Sequence, residues 1–126
     1  MHSAIAHGVG LPLSWVLAAA TAAIGTLALV APKQLAELYG APVGARGFPF
    51  VRATGLRDIV FALILGIAAY RRDRIELLVV AAVGILLALG DFIIAWAHAR
   101  RFSQPLLAHL AGALAFVVLV ETLVWP

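Results

Sequence analysis

Two short stretches hold most of the groups in this chain that could do chemistry in an apolar setting. Arg52-Ala53-Thr54-Gly55-Leu56-Arg57-Asp58 sets two guanidinium groups and a carboxylate at the entrance of an apolar run reaching Tyr70, and Gly90-Asp91 sets a second carboxylate late in another run. Groups of these types can carry a proton, grip an anion, or only pair with one another. An ionisable group inside an apolar span is costly and usually faces a bundle interior or a wet cavity, so a functional site is the default expectation. The plainer alternative is that Arg52 and Arg57 snorkel to headgroups while Asp58 pairs with one of them for packing. Asp91, flanked by Gly90 and Phe92, cannot snorkel as far and needs a proton or a partner such as Arg52 or Arg57.

The elements that must position these residues follow from composition. Of 126 residues, 64% are hydrophobic and only 12% charged, with a formal net charge of +3 and no cysteine; mean hydropathy is +1.07. A soluble domain of this length needs a polar shell nearer a quarter charged, so the chain is expected to be an integral, multi-pass membrane protein, of a bacterial inner membrane or its equivalent. The basic residues are scattered between apolar runs rather than gathered on one face, which sets nucleic acid aside. Without cysteine there is no disulfide, thiolate metal site or cysteine nucleophile. His-Glu-x-x-His spacing is also missing, and no metal or other cofactor is expected.

Apolar runs at about 11–31, 50–70, 75–97 and 105–125 are each long enough to cross a ~30 Å hydrocarbon core. With no linker or low-complexity tract between them, residues 1–126 read as a single domain: an all-α, membrane-embedded, up-down-up-down four-helix bundle. The first ten residues carry His2 and His7 but no Lys or Arg, so the first run lacks the basic start of a secretory signal. Pro32 should stop the first span and Pro105 open the fourth. Segment 33–39 reads either as a short interfacial helix ended by Gly40 or as a loop at the headgroups. Lys and Arg are too evenly divided to orient the bundle: Arg71, Arg72 and Arg74 on one side, Lys33, Arg46, Arg100 and Arg101 on the other.

Depth brings the polar residues together. Asp58 lies about eight residues into its span, roughly 12 Å, and Asp91 seven residues before the end of its own, roughly 10 Å. His109 is about one turn into the fourth span. Arg52, Arg57, Asp58, Asp91, His98 and His109 thus share one membrane half, whereas Glu121, about 18 Å beyond His109, belongs near the other surface with Arg71, Arg72 or Arg74. Helical phase puts Thr54, Gly55 and Asp58 on one side of span two, with Arg52 and Arg57 flanking Asp58. It aligns Gly84, Ala88, Asp91, Ala95 and His98 on span three, and His109, Gly112, Ala113 and Phe116 on span four.

With these residues placed, the chain resembles the small four-span membrane family catalogued as domain of unknown function 4267. The resemblance rests on Arg52-x-x-Gly55-x-Arg57-Asp58 leading span two and on Gly90-Asp91 late in span three. Some fungal relatives act around epoxide intermediates in natural-product pathways, which would cast Arg52, Arg57, Asp58 and Asp91 as an acid-base set; His109 has no counterpart in that pattern. Opening an epoxide by water needs a proton donor for the developing alkoxide and a base for the water, which two carboxylates kept in different protonation states by an intervening Arg can supply. Soluble limonene-type epoxide hydrolases, an unrelated architecture, use such an Asp-Arg-Asp arrangement. The expectation is an enzyme that takes a lipophilic small molecule from the bilayer, with Thr54, His98, His109 and Phe116 lining its site. The alternatives are a binding or proton-coupled transport protein, and an assembly subunit whose polar cluster only fixes helix register. The expected surroundings are lipid, with a homo-oligomer allowed for.

Overall fold

The computed structural model describes residues 8–100 and 104–125; His2, His7 and Arg101 lie outside them. It is all-α. Five α-helices follow in order: α1 (Gly10–Val30), α2 (Pro32–Leu38), α3 (Phe48–Arg71), α4 (Arg74–Ala99) and α5 (Leu107–Val124), with one-turn 3-10 segments leading into α3 and α5. Among the described residues three helices, α1, α4 and α5, are long and apolar enough to cross a membrane. Helix α3 has 24 residues but carries Arg52, Arg57 and Asp58 in its first half and is not one of the three, so the expected count of four such spans is met by three.

Local chemistry sets the breaks. Ala31, restricted by the following Pro32, leaves helical geometry (φ −137°, ψ 60°) and ends α1, and Pro32 then starts α2. Segment 33–39 is therefore mostly helix. Gly40, at φ 73°, closes α2 with a Schellman motif, in which Ala41 N–H donates to the Ala36 carbonyl and Gly40 N–H to that of Glu37. Between α3 and α4 the turn is tight: Asp73 Oδ1 accepts from the Ile75 and Glu76 amides at 2.9 and 3.0 Å, an N-cap of about 1 kcal/mol. Beside it Arg71 pairs with Glu76 at 3.1 Å. Ahead of α5, the 3-10 turn Gln104–Leu106 delays the helix start to Leu107, two residues after Pro105.

Helix α1 packs along α3 and α4 along α5, and the two pairs touch each other more sparsely. In the first pair the backbones meet: a Cβ on Gly25 would lie 2.6 Å from the Gly55 carbonyl oxygen, and one on Gly55 2.5 Å from Ala28 Cβ. Small residues let helices approach this closely without hydrophobic drive from lipid. At the end where α1 starts and α5 finishes, Phe61, Leu65, Leu77, Phe116, Leu119 and Leu123 form a packed apolar core. The outer faces are apolar as well, with Leu56, Val60, Leu63 and Ile67 of α3 and Ile75, Leu86 and Ile93 of α4 all exposed. Such a belt is compatible with lipid contact.

Gly55→Ala should separate α1 from α3 and cost about 1–3 kcal/mol by overpacking against backbone that cannot yield. Gly44→Ala, whose added methyl meets nothing within 4 Å, is the matched control. Thermal melting in detergent should show a drop for the first and no change for the second.

Candidate functional site

At the other end of the bundle, where α1 and α4 finish and α3 and α5 begin, the packing opens into a cavity of about 470 Å³. All five helices contribute to its wall, and most of that wall is apolar. Leu35 and Ala36 of α2, both buried, cover it from the end of the bundle, and Phe61 and Phe116, edge to face at 5.6 Å, lie on its inner side. Gly84 gives Phe116 its place, since a Cβ there would sit 2.8 Å from the ring.

One polar cluster interrupts this wall. The Arg57 guanidinium forks onto Asp91, Nη1 donating to Oδ1 at 3.1 Å and Nη2 to Oδ2 at 2.8 Å. The same group donates to Asp58 Oδ1 from Nε at 3.1 Å and from Nη2 at 2.8 Å. Two carboxylates, one from α3 and one from α4, thus share one cation, and charge-assisted bonds of this kind are the stronger class. The two are not held alike. Both oxygens of Asp91 are occupied by the fork, whereas Asp58 Oδ2 accepts no hydrogen bond among the described residues. The Arg57 side chain is 36% exposed, Asp91 30% and Asp58 17%, so the cluster lies at the edge of the cavity rather than sealed in the core.

The other expected residues divide. Thr54, His98, His109 and Phe116 all line the cavity, as do Gly84, Ala88 and Ala95 of the α4 stripe. Thr54 Oγ1 donates to the Phe50 carbonyl of its own helix at 3.1 Å. Gly55 and Ala113 do not line it; Gly55 is taken up by the contact with α1. Arg52 lies elsewhere. Its Nε donates to the Leu29 carbonyl at 3.2 Å, so it caps the C-terminal turn of α1, where free carbonyls and the negative end of the helix dipole attract a cation, and it is neither in the cluster nor on the cavity wall. Glu121 is exposed and outside the network, as expected, but two of its three expected partners are engaged elsewhere: Arg71 with Glu76, and Arg74 with the Val124 carbonyl at 3.0 Å.

Tyr39 is the residue that reading by spans missed. It follows α2, lines the cavity, and packs against the His109 ring at 4.7 Å with the planes tilted by 42°; the His109 Nε2 is buried with no partner among the described residues. Burial pushes its phenol above the usual range, and negative charge on the Asp58–Asp91 pair adds to that, so it shares an electrostatic environment with the carboxyl groups. The signal available in the sequence was a tyrosine at the end of a short amphipathic segment, which marks an interface equally well.

Removing one partner from the cluster should cost more than removing its charge altogether. Arg57→Met leaves two carboxylates without their shared cation, at a cost on the order of 2–4 kcal/mol, less than for a fully buried pair because the cluster is partly exposed. The triple variant Arg57→Met/Asp58→Asn/Asp91→Asn should recover at least half of that. Identical melting curves for parent and both variants would show that the cluster does nothing to join α3 to α4.

Residues 18–123 match the family described as Domain of unknown function (DUF4267), and the chain belongs to that family. No curated protein and no solved structure matches it.

Proposed function

We propose that this member of the DUF4267 family is an integral membrane enzyme with four spans, α1, α3, α4 and α5, that binds a lipophilic small molecule in its cavity and acts on it by acid-base chemistry, epoxide hydrolysis being the reaction that fits best. A bacterial inner membrane or its equivalent is the proposed location. The observation that carries the reading is Asp58 and Asp91 sharing the Arg57 guanidinium at the wall of an otherwise apolar cavity. Helix α3 is included as a span because Arg57 and Asp58 are used on the cavity side while its outer face is apolar.

The hydrolysis balances on these groups. Asp58, with Oδ2 free of Arg57, carries a proton and gives it to the epoxide oxygen as the carbon–oxygen bond breaks. Asp91, held by the fork, takes a proton from the water whose oxygen forms the new bond to carbon. The product is a vicinal diol, and return of the proton from Asp91 to Asp58 resets the pair. Arg57 holds the charge between them. Thr54, His98, His109 and Phe116 bound the substrate, and Arg52 acts only through the end of α1.

Transport is the weaker reading, because a permeation path should be polar through both membrane halves and the half beyond Phe61 and Phe116 is a packed apolar core. The assembly-subunit reading draws on one observation, that the Arg57 fork ties α3 to α4 where the helix pairs otherwise meet sparsely. Asp91→Asn separates it from catalysis. The amide keeps size and part of the hydrogen bonding but cannot exchange the proton at any pH. A folded Asp91→Asn protein in detergent should therefore turn over lipophilic epoxides about 10²- to 10⁴-fold more slowly than the parent. Unchanged turnover removes Asp91 as an acid or base, and a parent inactive on a broad epoxide panel overturns the hydrolase reading.

A further inference from the structure

The cavity has a closed end and an open side, and the two differ in chemistry. Its end is covered by α2, whose Leu35 and Ala36 are buried against it. Its side has a rim of residues that line the cavity and are themselves exposed, Phe50 and Thr54 on α3 and Ile94 and His98 on α4, while one more exposed lining residue, Ala108, lies on α5. The register set by the Arg57–Asp91 fork in this antiparallel pair brings Thr54 level with Ile94, and Phe50 level with His98. Each pair of residues is one helical turn apart on its own helix, so the four frame a gap between α3 and α4. Below the gap, one further turn into the bundle, the partly exposed Arg57–Asp91 bridge closes it.

Depth and composition say what the gap faces. Thr54 lies six residues inside the start of α3 and Ile94 five residues before the end of α4, roughly 8 Å from the helix ends by helical rise. In a bilayer that level is at or below the boundary between headgroups and acyl chains. Phe50 and Ile94 are 76% and 70% exposed, side chains that suit lipid at the edge of an opening and do not suit water. We infer that the cavity is loaded sideways from the lipid through the gap between α3 and α4, and that its ligand is a membrane-dissolved amphiphile whose apolar body fills the cavity while an oxygen function stays at the Arg57–Asp91 bridge. A cavity of this volume suits a molecule on the order of twenty non-hydrogen atoms. The inference rests on the proposal that the cavity is a ligand site, but not on any reaction taking place there.

The chain has no cysteine, so one introduced thiol reports on the route without any knowledge of the substrate. Ala88→Cys places it on the cavity wall, and Leu86→Cys, exposed on the outer face of the same helix, is the reference. In protein reconstituted into phosphatidylcholine nanodiscs, N-phenylmaleimide, which partitions into lipid, should label Ala88→Cys at a rate within about tenfold of Leu86→Cys; a water-confined trimethylammonium methanethiosulfonate should label it far more slowly than the same thiol in detergent-unfolded protein. Adding Ile94→Trp at the rim should slow N-phenylmaleimide at Ala88→Cys at least fivefold and leave Leu86→Cys unchanged. Ala108→Trp, which lines the cavity from α5 and is outside the α3–α4 gap, should not reproduce that slowing. Fast labelling by the cationic reagent, or slowing by Ala108→Trp and not by Ile94→Trp, would move the entrance to the aqueous end and overturn the inference. No labelling of Ala88→Cys by either reagent in a folded protein would mean that the cavity admits no ligand, which sinks the binding site itself. Normal labelling with no epoxide turnover would leave the entrance standing and remove only the hydrolase.

Discussion

The structure depends on one guanidinium shared by two carboxylates in a chain that has few charges to spend. An aspartate within an apolar segment must be neutralised, paired or wetted, and Arg57 meets that requirement for Asp58 on its own helix and for Asp91 on the next. Because the fork onto Asp91 has a fixed planar geometry, it also sets the register of α3 against α4. Those two helices are joined by a tight Asp73-capped turn at one end, and the fork constrains them near the other.

Two kinds of packing divide the bundle lengthwise. Toward the start of α1 and the finish of α5, leucines and aromatics fill the interior. Toward the other end, glycine and alanine on α1 and α3 pull those helices into backbone contact at Gly25 and Gly55, while Gly84, Ala88 and Gly112 leave the facing surfaces of α4 and α5 low. Close approach in one pair and small side chains on the facing walls leave unfilled space at that end, and the carboxylates lie along it. A hollow with two carboxylates at its edge is poor design for stability alone, since a filled apolar core is generally worth more than a cavity beside a partly exposed ion cluster. This is the physical reason for preferring a ligand site to a purely structural cluster.

Arg52 and Arg57 illustrate how a small difference in position separates two roles. Both flank Asp58 in helical phase, and both have the reach to bond a carboxylate. Arg52 instead meets the last turn of α1, where carbonyls without helical partners compete for it, and Arg57 faces α4. Tyr39 comes to the cavity by a different route, carried there by the Pro32-started, Gly40-closed turn of helix that folds α2 over the end of the bundle.

Periodicity and composition alone determined that the chain is helical, which runs form the long helices, that Pro32 would end the first of them, and that Arg57, Asp58, Asp91, His98 and His109 fall toward one end of the bundle, while leaving 33–39 open between helix and loop. These follow from 3.6-residue phase and 1.5 Å rise, properties of a single helix that need no partner. Tertiary structure decided which arginine Asp91 would find, that Arg52 would cap α1, that Tyr39 would reach His109, and that a cavity exists at all. Each of these depends on the rotation and separation of one helix relative to another, which side-chain volumes across several helices settle together and no single helical pattern encodes.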